Sequence, residues 1–302
     1  MKPALSEDLI QRIVREVVRE VEMTKPQIVP TVAAASAEVT RGLAASGRLR
    51  CAPPPRAIHS VDSPIDDAML AKIVALTSSR IAVGRSGLRM KTDLALQIRE
   101  GHADAKDAVH SEVPEAFVQA QGWLPLKSKC QDRHEYLLHP NHGRRLDEKS
   151  LAALAPVKDS APDVQVIVGD GLSPAAILKN GVPAAQALLA ALQRGGYKSG
   201  PTLYCKFARI GVQDEIGVLA KARATVILVG ERPGLGTGDS LSFYIAVNPK
   251  LDQDNAEKNC ISNVRPIGIR PEEAALLTIE IVKRAFERGG GGVAIGFGFG
   301  RQ

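Results

Sequence analysis

Four short apolar runs rich in β-branched residues, VQVIV (164–168), TLYCKF (202–207), ATVILVG (224–230) and FYIAV (243–247), share one stretch of the chain. Helical periodicity lies around them, over 173–194, 213–222 and 271–288. Strands alternating with helices mean βαβ units, and βαβ units mean a mainly parallel sheet covered by helices. Residues 156–288 are therefore read as an α/β domain. The segment before it, 58–155, reads as a small, mostly helical domain. Asp62-Ser63-Pro64 opens a helix carrying Ile65, Met69, Ile73, Val74 and Leu76, a second spans roughly Thr92 to His102, and a third starts near Val113-Pro114-Glu115. Between the first two lies a glycine-containing basic loop, RIAVGRSGLRMKT (80–92), and HPNHGRRL (139–146) is a second loop with paired arginines.

The two ends differ from this. Leu9, Ile10, Ile13, Val14, Val17, Val18 and Val21 recur at steps of three and four, so residues 1–23 are read as an amphipathic helix. Ser6, Glu7 and Asp8 suit its start, where free amides and the helix dipole favour oxygen and negative charge. Residues 24–57 hold eight alanines, five prolines and no aromatic residue, which is the composition of a linker. A helix on such a tether serves as an address or folds back on its own domain. The tail 289–302, GGGGVAIGFGFGRQ, is expected to fray.

Composition excludes several classes of function. No apolar run reaches the ~18–20 residues of a membrane span, and the N-terminus has no secretory apolar core, so a cytoplasmic protein without a membrane partner is expected. The cysteines Cys51, Cys130, Cys205 and Cys260 stand far apart, in neither zinc nor C-x-x-C spacing, and are read as reduced thiols. The net charge of +6 could serve nucleic acid, but aromatics are 4% of the chain and are not interleaved with the basic residues. A stacking surface for single strands is missing, and no nucleic-acid partner is expected.

In an open α/β sheet, ligands bind beyond the carboxyl ends of the strands. Four segments qualify: GDGLSPAA (169–176), ARIGVQDEIG (208–217), GERPGLGTGDS (230–240), and NCISNVRP (259–266) beyond the last short strand. GDGLSP resembles the start of a dinucleotide loop but carries Pro174 at the third glycine, so it reads as a tight strand-to-helix turn; a nicotinamide-dependent oxidoreductase is the alternative it leaves open. GERPGLGTG lacks the Lys-Ser/Thr pair of a P-loop, yet Glu231 and Arg232 at a strand end must face a ligand, a partner or each other. The six histidines show no metal spacing, and Asp132-x-His134 only faintly echoes a cobalt-ligating D-x-H-x-x-G, with Leu137 at the glycine. No catalytic triad or G-x-S-x-G is present; neither catalytic residues nor a metal site are assigned.

VQVIVGDGLSPAAI (164–177), ARIGVQDEIG (208–217), ILVGERPGLGTGDSLSFY (227–244) and CISNVRP (260–266) together resemble the small subunit of ethanolamine ammonia-lyase. VGRSGLRMKT (83–92), SEVPEAFVQAQG (111–122) and HPNHGRRLDE (139–148) extend the resemblance over about residues 58–288. It implies a Rossmann-like domain behind a helical one, and a holoenzyme that uses adenosylcobalamin to convert ethanolamine to acetaldehyde and ammonia. It also implies a large catalytic subunit as partner, with cobalamin held at the interface. The family's cobalamin contacts fall on Ile210, Glu231 and Cys260. Alternatives read from the residues alone are a Glu231–Arg232 pair, a core Ile210 and an inert Cys260. Relatives that metabolise ethanolamine often pack the enzyme into a microcompartment, which implies shell proteins as partners of the N-terminal segment.

Overall fold

The structure is a computed structural model that describes residues 61–62, 64–76 and 79–295. The expectations for residues 1–23 and 24–57 lie outside these residues, as does the end of the tail.

Six strands form one sheet: β3 (Leu124–Lys127), β4 (Val164–Gly169), β5 (Leu203–Lys206), β6 (Ala224–Gly230), β7 (Leu241–Val247) and β8 (Lys258–Val264). Their order is β3-β5-β4-β6-β7-β8. The first four run parallel; β6–β7 and β7–β8 pair antiparallel. The sheet is thus mostly parallel, as the alternation of strand and helix predicts. A separate two-stranded hairpin, β1 (Arg85–Ser86) and β2 (Arg89–Met90), occupies the basic loop and turns through Gly87 at φ 61°.

Helices cover both faces, as a sheet buried on both sides requires. Ahead of the sheet come α1 (Asp67–Ala75), α2 (Thr92–His110) and α3 (Glu115–Ala120). α4 (Arg133–Leu138) and α5 (Glu148–Ala153) follow β3. After β4 the chain enters α6 (Pro174–Ala176), a π-helical turn (Ile177–Gly181) and α7 (Val182–Arg194). Pro183 has no N–H to give back to the preceding turn, which accounts for the widening there. α8 (Val212–Ala220) and α9 (Pro271–Arg288) complete the set.

Alternation along β4 sorts the core. Val164, Val166 and Val168 face Leu188 and Leu192 of α7 and Ala274 and Val282 of α9, whereas Ile167 faces Val212 and Ile216 of α8. Leu188 and Leu192 lie one helical turn apart and are fully buried, each contributing roughly 1.5–3 kcal/mol of burial. The stretch Pro174–Arg194 is long and apolar enough to cross a membrane, yet over half of its apolar window is buried in this core.

Four expectations differ from the structure. α1 begins three residues beyond Pro64, because Asp66 caps it by accepting from Met69 N at 2.8 Å. Segment 58–155, read as mostly helical, also supplies the parallel edge strand β3. Residues 259–264, read as a loop beyond the last strand, are themselves edge strand β8. The tail does not fray throughout: Gly292–Ile295 forms a 3-10 turn, Gly292 N donates to Asn259 Oδ1 at 2.7 Å, and Ile295 is buried.

Candidate functional site

A cleft of about 400 Å³ opens at the carboxyl ends of β4 and β6. The chain leaves β4 toward α7 on one face and β5 toward α8 on the other, so the loops 170–172 and 208–211 part and a crevice opens between them. The floor is Leu172, Ala208, Ile210 and Val229; Tyr136, Arg144, Arg209, Glu231, Arg232 and Tyr244 are its ionisable lining.

The parting loops are fixed by close backbone packing. Gly171 has φ 58°, and a Cβ there would meet Gly230 O at 2.4 Å. Leu172 N donates to the same carbonyl at 3.0 Å. The loop read as a faint dinucleotide signature is therefore filled by the neighbouring strand end. Ser173 caps α6 by accepting from Ala176 N at 3.3 Å, consistent with a tight strand-to-helix turn.

Beneath the cleft, Asp170 and Arg133 form a buried clasp. Arg133 Nη2 lies 3.3 Å from Asp170 Oδ2, and Nη1 donates to Gly171 O at 2.7 Å. Asp170 also accepts from Ala208 N at 3.1 Å. Burial pushes its carboxyl up to about 6, against the pull of Arg133 and of the surrounding backbone N–H groups. Tyr136 extends the clasp: its hydroxyl donates to Ala208 O at 3.1 Å, and Arg209 donates to Tyr136 O at 2.8 Å while its guanidinium lies 4.1 Å from the ring centroid. Phe207, stacked on Tyr136, sits at φ 58°, a left-handed backbone that a bulky side chain adopts only when its surroundings hold it there.

Ile210 and Glu231 come together on the cleft lining. Glu231 does not pair with Arg232. Its Oε1 accepts from Ser242 Oγ at 2.5 Å and from Asn263 N at 2.9 Å. The register between β7 and β8 shifts between Leu241 and Phe243, which frees an N–H of the bulged strand, and this carboxylate satisfies it. Oε2 has no hydrogen-bond donor among the described residues. Ile210 is half-buried in the cleft lining rather than part of the core.

Cys260 is placed differently from the loop position expected of it. It lies on β8, exposed, opposite Tyr244, which lines the cleft. Desolvation raises its thiol, and the neighbouring Tyr244 and Ser242 hydroxyls oppose the shift. A buried ion pair anchors this edge strand, Lys258 Nζ to Asp214 Oδ2 of α8 at 2.9 Å. His134 is exposed and off the cleft, and Asp132 is the N-cap of α4, accepting from Glu135 N at 2.8 Å. Among the described residues no three His, Cys, Asp or Glu side chains gather as a metal site.

Sequence reasoning missed Tyr136, Arg144 and Arg209 as lining. The paired arginines of HPNHGRRL and the arginine beside Ile210 were the available signals, but only the tertiary fold brings them to one cleft.

A helix-covered, mostly parallel sheet with a cleft at its switch point and a mixed apolar and cationic wall defines a ligand-binding α/β protein. The family model of the ethanolamine ammonia-lyase light chain matches residues 67–296, most of the 302-residue chain, and the chain belongs to that family. It is a subunit of a lyase.

Proposed function

We propose that this chain is the cobalamin-holding small subunit of an adenosylcobalamin-dependent ethanolamine ammonia-lyase, working at an interface with the large catalytic subunit. The observation that carries the reading is the cleft. Ile210 and Glu231, carried over separately from the family resemblance, both line it, and Cys260 stands on the adjoining strand opposite Tyr244. The residues present fit a corrinoid: an apolar floor for the macrocycle and a free carboxylate oxygen for its amide side chains. About 400 Å³ encloses only a fraction of a corrin with its nucleotide, which supports a site completed by a second chain.

When bound, the cofactor supplies the radical chemistry that converts ethanolamine to acetaldehyde and ammonia. This chain's part is to hold and orient: Glu231 as acceptor, Ile210 as apolar floor, Cys260 as close packing against Tyr244. The exposed apolar residues Ile65, Met69, Ile73 and Leu76 near α1 support a protein partner there. The division into a helical segment 58–155 and a Rossmann-like domain 156–288 is part of the same proposal, as is an encapsulation role for residues 1–23 in a bacterial microcompartment.

The nicotinamide alternative is disfavoured by Gly171, whose open side is occupied by Gly230 instead of facing a pyrophosphate. Titrating the reconstituted two-chain complex with cyanocobalamin and with NAD tests the reading. Saturable corrinoid binding without NAD binding is expected. NAD binding without corrinoid binding would reverse the assignment.

A further inference from the structure

We propose that Arg144, Arg209 and Arg232 form an anion subsite on the cleft wall that takes the phosphodiester of cobalamin's nucleotide tail, an assignment that rests on the function proposed above. The three guanidiniums come from separate segments: the 3-10 turn His142–Arg144, the loop after β5, and the loop after β6. All three line the cleft. Among the described residues, none of them is in an ion pair. The only acidic lining residue is Glu231, and its Oε1 is taken by Ser242 and Asn263. Neighbouring arginines are held in ion pairs, Arg133 with Asp170 and Arg145 with Asp252.

Gathering like charges at one cleft costs free energy unless an anion offsets it. Arg209 is the anchor of the group. Its Nη2 donates to Tyr136 O and its guanidinium lies over the Tyr136 ring, which together fix its plane. A guanidinium fixed on the cleft wall suits a tetrahedral oxyanion, which its remaining N–H groups can meet. The substrate cannot be that ligand, because ethanolamine carries positive charge. On cobalamin the peripheral amides are neutral and the phosphodiester is the anionic group.

The test is equilibrium dialysis of the reconstituted two-chain complex with two probes: cyanocobalamin, and dicyanocobinamide, which lacks the nucleotide and its phosphate. Arg209→Gln is expected to raise the cyanocobalamin Kd about tenfold. Arg144→Gln and Arg232→Gln, at exposed positions, are expected to raise it about threefold. Cobinamide affinity stays within about twofold of wild type, which also reports that the variants fold. Salt weakens cyanocobalamin binding more steeply in wild type than in Arg209→Gln. Unchanged cyanocobalamin affinity in all three variants, or parallel loss of both probes, overturns the subsite. If cobinamide fails to bind wild type, the salt dependence decides, and equal slopes overturn it. Wild-type complex that binds neither probe overturns the proposed function instead.

Discussion

At the residue scale, Glu231 divides its carboxylate between two tasks. One oxygen closes the bulge between β7 and β8, and the other has no donor from the described protein. A carboxylate–amide hydrogen bond in a partly dry interface is worth ~1.5–3 kcal/mol, so losing it weakens binding by roughly ten- to a hundredfold. Glu231→Gln keeps an acceptor for Ser242 and Asn263, and is expected to raise the cyanocobalamin Kd toward the lower end of that range with little change in ethanolamine KM. Cys260→Ala, which removes only packing, is expected to cost less; dialysis of both variants in the complex checks the order. Asp170 makes a second prediction. Its folded carboxyl titrates near 6, against an ordinary value of 3.8. Between those values the folded protein therefore holds more protons than the unfolded chain, so Asp170's contribution to stability is full below about 4 and is lost as the pH rises through about 6. Denaturant titrations at several pH values should show wild-type stability falling relative to Asp170→Asn across that window. Parallel curves would mean that Asp170 titrates alike in both states. Glu231 was legible because it directly follows an unbroken apolar strand. Asp170's partner Arg133 was not, since the two lie 37 positions apart and nothing local links them.

At the element scale, strands buried on both faces were readable and edge strands were not. VQVIVG and ATVILVG are fully buried and rich in β-branched residues because helices cover both sides of them. Leu124–Lys127 carries Pro125, which argues against a central strand and is tolerated at the sheet edge it occupies. Lys258–Val264 alternates irregularly and includes two asparagines and a serine, so its composition reads as loop. The cleft depends on two turns meeting without side chains. Gly171→Ala places a Cβ 2.4 Å from Gly230 O and 2.5 Å from Val229 Cγ2 at a left-handed backbone position. Strain and overpacking each cost roughly 1–3 kcal/mol, so the variant is expected to melt several degrees lower and to bind corrinoid poorly. Calorimetry of the purified chain checks the first effect and dialysis of the complex the second. An unshifted melting temperature would show that the two turns separate freely.

At the scale of the whole molecule, the proposed address segment and the proposed cofactor cleft are separable tasks. Deleting residues 1–24 is expected to leave ethanolamine turnover by the reconstituted complex intact and to abolish co-sedimentation with shell proteins. Failure of the shortened chain to fold would make the segment a core element instead. The small cleft has a further consequence on the proposed function. If each chain supplies only part of the wall, cofactor and large subunit are heterotropic ligands of this one, and each raises the other's affinity by the same factor. Corrinoid supply then governs how much of the assembly persists on dilution, and saturating cyanocobalamin should slow its dissociation. A cell short of the vitamin would hold a larger share of separate chains.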